Sequence, residues 1–390
     1  MNRRHLLAAP LIAAAAVTSL GLVASAGAYA QQTVKIGLIL PMTGPFASTG
    51  RQIEGMAKLY MAQNGNMVAG KKVELIVKDD TGVADVTKRI AQELVVNEKV
   101  SVLAGFGLTP LALATAPIAT QAKIPTVVMA AATQMITAQS PYIVRTGFTL
   151  PQVAAPMGEW ATKNGIKKVV TLVSDYGPGL DAEKSFKEAF TKAGGEVLAE
   201  LRVPMANPEF APFLQRAKDA KPDALFVFVP SGIGSAVMKQ FGERDLAKDG
   251  IRLIGTGDVT DDDILNGMGD VALGVVTSFH YSAAHNSPEN KALVDAFKKA
   301  TNMRASFHGV GGYDGMHLIY QALKKTNGDA DGTKLLEAMK GQSWTSPRGP
   351  VSIDPETRDI TQNVYIRKVE RVNGELFNVE FATINNVKAR

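Results

Sequence analysis

The chain has 390 residues, 46% of them apolar and 20% charged, with a formal net charge of +5. That is room for two ordinary domains of a soluble globular protein. It contains no cysteine, which excludes disulfides, a thiolate metal site, a cysteine nucleophile and a lipidated N-terminal cysteine.

The first segment, "MNRRHLLAAPLIAAAAVTSLGLVASAGAYA", reads as an export signal. Arg3 and Arg4 precede an apolar run from Leu6 to Val23, and Ala28 and Ala30 supply the small residues of a cleavage site after Ala30. The Ala/Gly-rich run and its Ala-Tyr-Ala end disfavour a membrane anchor. The arginine pair leaves both the general and the twin-arginine export routes open. Cleavage removes two arginines and no acid, so the charge falls from +5 to +3. The remaining excess is spread along the chain without interleaved aromatics, which argues against nucleic acid as a partner. No other segment reaches the length of a membrane span. An exported chain that is neither bridged nor lipidated is expected free in a bacterial periplasm, as a monomer.

From Val34 the pattern predicts alternating strands and helices. A strand over 34–40 leads to a helix over 50–63, a strand over 73–78 to a helix over 84–97, and a strand over 100–104 to a helix over 110–121; a strand over 125–129 closes the set. The order then repeats. Strand 168–173, the loop "SDYGPG" and helix 180–193 are followed by strand 196–203, a helix near 208–218, strand 223–229, the loop "PSGIG", helix 233–243 and strand 251–255. Runs rich in Ile, Val and Leu without alternation suggest strands buried on both faces, as in parallel sheets. Two doubly wound α/β lobes follow. The tail predicts helices near 288–300, 308–325 and 332–340, a strand over 349–353 and a hairpin of 363–371 with 375–383 turned at Asn373-Gly374. These elements are too few for a third domain, so they are expected to be shared between the lobes across a hinge crossed more than once. The expected division is 33–147 with 281–362, and 148–280 with 363–390.

Ligands of open α/β sheets sit beyond the carboxyl ends of the strands. The loops there, 41–50, 105–110, 130–134, 174–179, 230–234 and 256–261, are rich in small residues. In "GLILPMTGPFASTGRQIEGM" a strand ends in a Gly-rich loop that opens a helix, a junction suited to an anion. It is not a phosphate loop. Five residues separate Gly44 from Gly50, Arg51 and Gln52 follow, and G-x-G-x-x-G is absent.

Enzyme motifs are missing. The histidines outside the signal, His280, His285, His308 and His317, show no metal spacing. His317 shares a helix face with Tyr313 and Tyr320 and reads as packed. Ser231 in "PSGIG" lacks the first glycine of a hydrolase elbow. Asp261-Asp262-Asp263 does not fit a calcium loop and reads as acids in the first turn of a helix. Asp79 and Asp80 read as loop or hinge carboxylates. No catalytic set, metal site or cofactor is expected.

"VKIGLILPMTGPFASTGRQIEGM", "NGNMVAGKKVELIVKDD", "IPTVVMAAATQMIT", "SPYIVRT", "DYGPGL" and "GGYDGMHLIYQAL" together resemble the periplasmic solute-binding proteins of the branched-chain amino acid type, which deliver ligands to ABC importers. The resemblance covers nearly the whole mature chain. It implies the type I periplasmic binding fold, closure on a small carboxylate, and the importer's permease subunits as partners. The family's carboxylate-binding serine loop matches Gly105 to Thr109, which gives Thr109 that role. Its second carboxylate loop matches Ala131 to Thr133, its tyrosine before Gly-x-Gly matches Tyr176, and its ammonium-binding acid matches Asp258. Ser48 or Thr49 of the opening loop is expected to reach the ligand. Phe106 replaces the family's usual proline, and Phe46, Phe106 and Tyr176 could clasp an aromatic ring. The ligand is therefore expected to be either an aromatic acid or a hydrophobic or branched-chain amino acid. A sensory receptor that passes closure to a signalling partner is the alternative function.

Overall fold

The computed structural model describes residues 33–389, so the export signal and its cleavage site lie outside the described residues. The chain first forms β1 (Thr33–Leu40), α1 (Ala47–Asn64), β2 (Met67–Val68), β3 (Lys71–Asp79), α2 (Ala84–Val96), β4 (Val102–Gly105), α3 (Thr109–Ala122), β5 (Thr126–Val128) and β6 (Ile143–Arg145). These strands make a sheet of order β2-β3-β1-β4-β5-β6, parallel except where the short β2 turns back on β3. Val102 to Gly105 are all buried, as expected of a central strand covered on both faces. Ile53, Ala57 and Tyr60 of α1 cover one face, and Ile90, Ala91 and Leu94 of α2 with Ala112 and Ala116 of α3 cover the other.

The second half forms α4 (Leu150–Lys163), β7 (Lys168–Ser174), α5 (Gly177–Lys192), β8 (Glu196–Val203), α6 (Ala211–Asp219), β9 (Ala224–Phe228), α7 (Ser231–Glu243), β10 (Arg252–Thr256), α8 (Leu265–Met268) and β11 (Val276–Phe279). α9 (Pro288–Thr301), α10 (Phe307–Lys325), α11 (Gly332–Met339), β12 (Ser343–Ser346), β13 (Gly349–Ile353), β14 (Ile360–Val372) and β15 (Glu375–Val387) complete the chain. The second sheet runs β12-β13-β14-β11-β10-β9-β7-β8, with β15 paired to β14. Asn373 and Gly374 both take positive φ, 52° and 87°, as a type I′ hairpin turn requires. The tail elements pack with both sheets. β14 and β15 extend the second sheet. Met316, Leu318 and Leu323 of α10, Leu335 and Met339 of α11, and Val351 and Ile353 of β13 pack into the core of the first.

Three fully buried arginines hold the segments that pass between the sheets. The Arg145 guanidinium meets Asp359 at 2.6 Å and donates to the carbonyls of Ala131, Thr133, Gln134 and Phe148 at 2.8–3.3 Å. Arg348 pairs with Asp314 at 2.7 Å and donates to the carbonyls of Thr146 and Gly147. Arg367 donates to the carbonyl of Tyr281 and the hydroxyl of Thr277. A cation without water persists only when paired and hydrogen-bonded in this way.

Candidate ligand-binding cleft

Between the two sheets lies a small cleft. It is lined from α1 by Phe46 and Thr49, from α3 by Leu108 and Thr109, and from α4 by Leu150. α5 contributes Tyr176 and Pro178, α7 contributes Pro230 and Ser231, and α10 contributes His308. All these residues cap or open their helices, except that Thr49 lies two residues into α1. Six helix N-termini thus surround one small space. Helix N-termini leave N–H groups without intrahelical acceptors and carry the positive ends of the dipoles, a setting that favours an anion.

The loop after β4 is a tight one. Gly105 has φ +109°, and a Cβ there would lie 2.3 Å from the carbonyl oxygen of Ile39. Phe106 follows at φ +67° and its carbonyl accepts from the amide of Ala131 at 3.0 Å. This left-handed residue turns its ring inward. Phe106 is fully buried in the core with Ile39, Leu103 and Val128 and does not line the cavity, which corrects its place in the expected aromatic clasp. Four other rings face the space: Phe46, Phe148, Tyr176 and Phe228. Tyr176 stacks on Phe228 with centroids 6.2 Å apart and planes 21° off parallel.

Thr109, Ala131, Tyr176, Asp258, Phe46 and Thr49 all line the cavity. Thr133 stands one step back, its hydroxyl 2.8 Å from that of Thr109, and so ties the two first-lobe loops together. Arg145 holds the second of these loops by the carbonyls of Ala131 and Thr133. Asp79 fixes the opening loop, accepting from the amide of Met42 at 2.9 Å and the hydroxyl of Thr43 at 2.8 Å, so it is a loop carboxylate. Phe148, Leu150, Phe228, Ser231 and His308 were not anticipated as lining residues. The T-x-x-Q signature before α4 could have placed Leu150: Thr149 accepts from the Gln152 amide and Gln152 reaches back to the Thr149 amide.

Three titratable groups face the space. Asp258 sits in the turn after β10, where the Thr256 hydroxyl donates to it at 2.8 Å; burial pushes its carboxyl up to about 7. Burial also pushes His308 down to about 3, so it is a neutral imidazole. Burial and the nearby Asp258 hold Tyr176 protonated.

The lobes meet around this space. The Ser48 hydroxyl donates to Asp263 across the gap, which takes Ser48 away from the cavity wall. Gly232, on α7, lies against the opening loop: a Cβ there would sit 2.6 Å from the Pro45 carbonyl oxygen. His308 Nδ1 stands 3.5 Å from Asp261 Oδ2. The acidic run therefore does not cap a helix. α8 starts only at Leu265 and has no side-chain cap, and Asp262 instead accepts from Asn378 and from the Ala283 amide. The three acids belong to the interface. His317 is packed as expected, stacked on Trp344 at 4.9 Å. Among the described residues no group of three acids or histidines is placed to hold a metal ion.

A sequence model described as "Periplasmic binding protein" matches residues 33–375. Leu/Ile/Val-binding protein homolog 6 of Brucella abortus is 47% identical over 377 residues, covering 95% of this chain and 96% of that protein. The solute-binding protein of an ABC transporter from Rhodopseudomonas palustris BisB5, solved with 3,4-dihydroxybenzoic acid, is 64% identical and superposes with a TM-score of 0.90 over 92% of this chain and 98% of its own. A second R. palustris solute-binding protein, in complex with 4-hydroxybenzoate, is 42% identical with a TM-score of 0.90 and the same coverage.

Proposed function

The chain belongs to the periplasmic binding protein family, and from that premise we propose that it captures a hydroxylated benzoate and presents it to the membrane subunits of an ABC importer. It has the type I periplasmic binding fold and serves as a periplasmic ligand receptor. Its relatives are binding proteins rather than enzymes. The finer reading rests on the cavity. Convergent helix N-termini and the Thr109–Ala131 side suit a carboxylate, and four rings flank the space between them and the second-lobe acid. A ring hydroxyl donated to Asp258 would give that buried carboxyl a second partner; among the described residues its one side-chain donor is Thr256. The two solved relatives hold ligands of this shape.

The mechanism follows from the two-lobe build. Ligand binds the loops of one lobe, 33–147 with 281–362, and bridges to the other, 148–280 with 363–390, which draws the population into the closed form. We read residues 1–30 as removed on export and the mature protein as a monomer. A hydrophobic or branched-chain amino acid is the second reading, favoured by Asp258, which could pair with an ammonium group, and by the Brucella relative.

A thermal-shift screen over aromatic acids, keto acids and amino acids tests this. Ligand at one hundred times its Kd adds about 2.7 kcal/mol to the native state. The largest rise in Tm is expected with 3,4-dihydroxybenzoate or 4-hydroxybenzoate. A larger rise with leucine or isoleucine would favour the second reading.

A further inference from the structure

Asp261 is the least explained group at the lobe interface. It is 1% exposed, and among the described residues its carboxylate has no donor near it beyond the Ser231 hydroxyl and the His308 ring. Asp262 and Asp263 stand on the same turn, and the hydroxyl of Ser231 lies beside it from the start of α7. Across the interface it faces His308 of α10 at 3.5 Å, and Ser48 of α1 bonds its neighbour Asp263. From the second sheet come Arg367, already committed to Tyr281 and Thr277, and the hydroxyl of Tyr281. Among the described residues no cation is paired with Asp261. His308 is held neutral by burial, and the nearest acids add repulsion.

We propose that closing the cleft on its ligand takes up one proton from solvent, which the carboxyl of Asp261 receives. When the lobes part, Ser48 and His308 leave with the first lobe and Asp261 meets water, where a carboxyl ionises in its ordinary range. When they close, an ionised Asp261 would be a dry charge beside two other acids. As the neutral acid it has an O–H to donate toward His308 or Asp263. Burial with Asp263 and Asp262 beside it holds the closed-state carboxyl well above the ordinary carboxylate range. The sign follows. The group binds its proton more tightly when closed, so closure carries no penalty below the ordinary range. It becomes harder as pH rises above that range, up to the closed-state value. Asp258 titrates near 7 in the same cleft, so the two acids must be separated by substitution.

This rests on reading the cleft as one that closes on its ligand. Calorimetric titration of 3,4-dihydroxybenzoate in two buffers of different ionisation enthalpy counts the protons. Near neutral pH we expect an uptake of about one proton per ligand and an affinity that falls up to about tenfold per pH unit. Asp261→Asn should lose most of that uptake and most of the pH dependence, leaving only the share that Asp258 takes near 7. Asp263→Asn removes the neighbouring charge, so its affinity should stop falling at a lower pH. No uptake in the unaltered protein, or the same uptake in Asp261→Asn, overturns the proposal. If leucine binds and the hydroxybenzoates do not, the ligand reading fails by itself. The proton count is then made with leucine, with the same expected result.

Discussion

Replacing Arg145 by methionine is expected to lower the free energy of unfolding by about 3–5 kcal/mol, because removing one partner of a buried pair leaves the other charge uncompensated. Asp359 would lose its guanidinium, and the carbonyls of Ala131, Thr133, Gln134 and Phe148 would lose their shared donor. Three of those carbonyls, of Ala131, Thr133 and Gln134, belong to the loop 130–134 beside the cleft, so ligand affinity should fall as well. Urea unfolding followed by circular dichroism reads the first effect, and titration of the folded variant reads the second. The double replacement Arg145→Met with Asp359→Leu should recover part of the stability, since it removes the stranded carboxylate. A loss below about 1 kcal/mol for Arg145→Met would place the pair among ion pairs that contribute little.

Tyr176→Ala carries the largest expected effect on binding. The ring lines the cavity and stacks on Phe228, at the extended residue that caps α5. A buried aromatic anchor at the centre of a site is worth about 2–3 kcal/mol, which is on the order of a hundredfold in Kd. Tyr176→Phe keeps the ring and should cost no more than a few-fold, since its hydroxyl has no hydrogen-bond partner among the described residues. Calorimetry on both variants separates ring from hydroxyl. Similar losses for Phe and Ala would move the interaction from stacking to the phenol oxygen, and no loss for Ala would remove Tyr176 from the site.

Much of this architecture can be read along the chain, because the buried strands are continuous apolar runs and the turns carry their own chemistry. Asn373-Gly374 is the clearest case, since few other residue pairs accept positive φ at both positions. α4 was missed because Pro151 and Pro156 interrupt its pattern; Pro151 is tolerated at the helix start, and the helix runs on through Pro156 because Met157 and Ala161 pack against Phe186 and Phe190. Tertiary packing outweighed propensity there.

At the site, the residues that line the cavity from the family's own loops were legible because a motif fixes the loop and the loop fixes the side chain. Phe106 was misplaced because its direction depends on a backbone angle, +67°, that sequence alone does not reveal. Phe148, Phe228 and His308 come from segments far apart in the chain, and only the folded crossings bring them together. The acidic run 261–263 was misread for the same reason: its partners Ser48, Asn378 and Ala283 are all distant in sequence. The lobe interface is a property of the folded molecule, and no local pattern encodes it.

The central claim is that the cleft binds a ring-bearing acid without an amine. It is tested most directly by parallel calorimetric titration of the mature protein with 3,4-dihydroxybenzoate and with leucine, each on unaltered protein and on Asp258→Asn. The expected result is a Kd near or below about 1 μM for the hydroxybenzoate, some −8 kcal/mol, with leucine at least a hundredfold weaker. Asp258→Asn should then change hydroxybenzoate affinity only a few-fold, because an amide oxygen also accepts from a ring hydroxyl. Tight binding of leucine that drops about a hundredfold in Asp258→Asn, with no heat from the hydroxybenzoate, would contradict it.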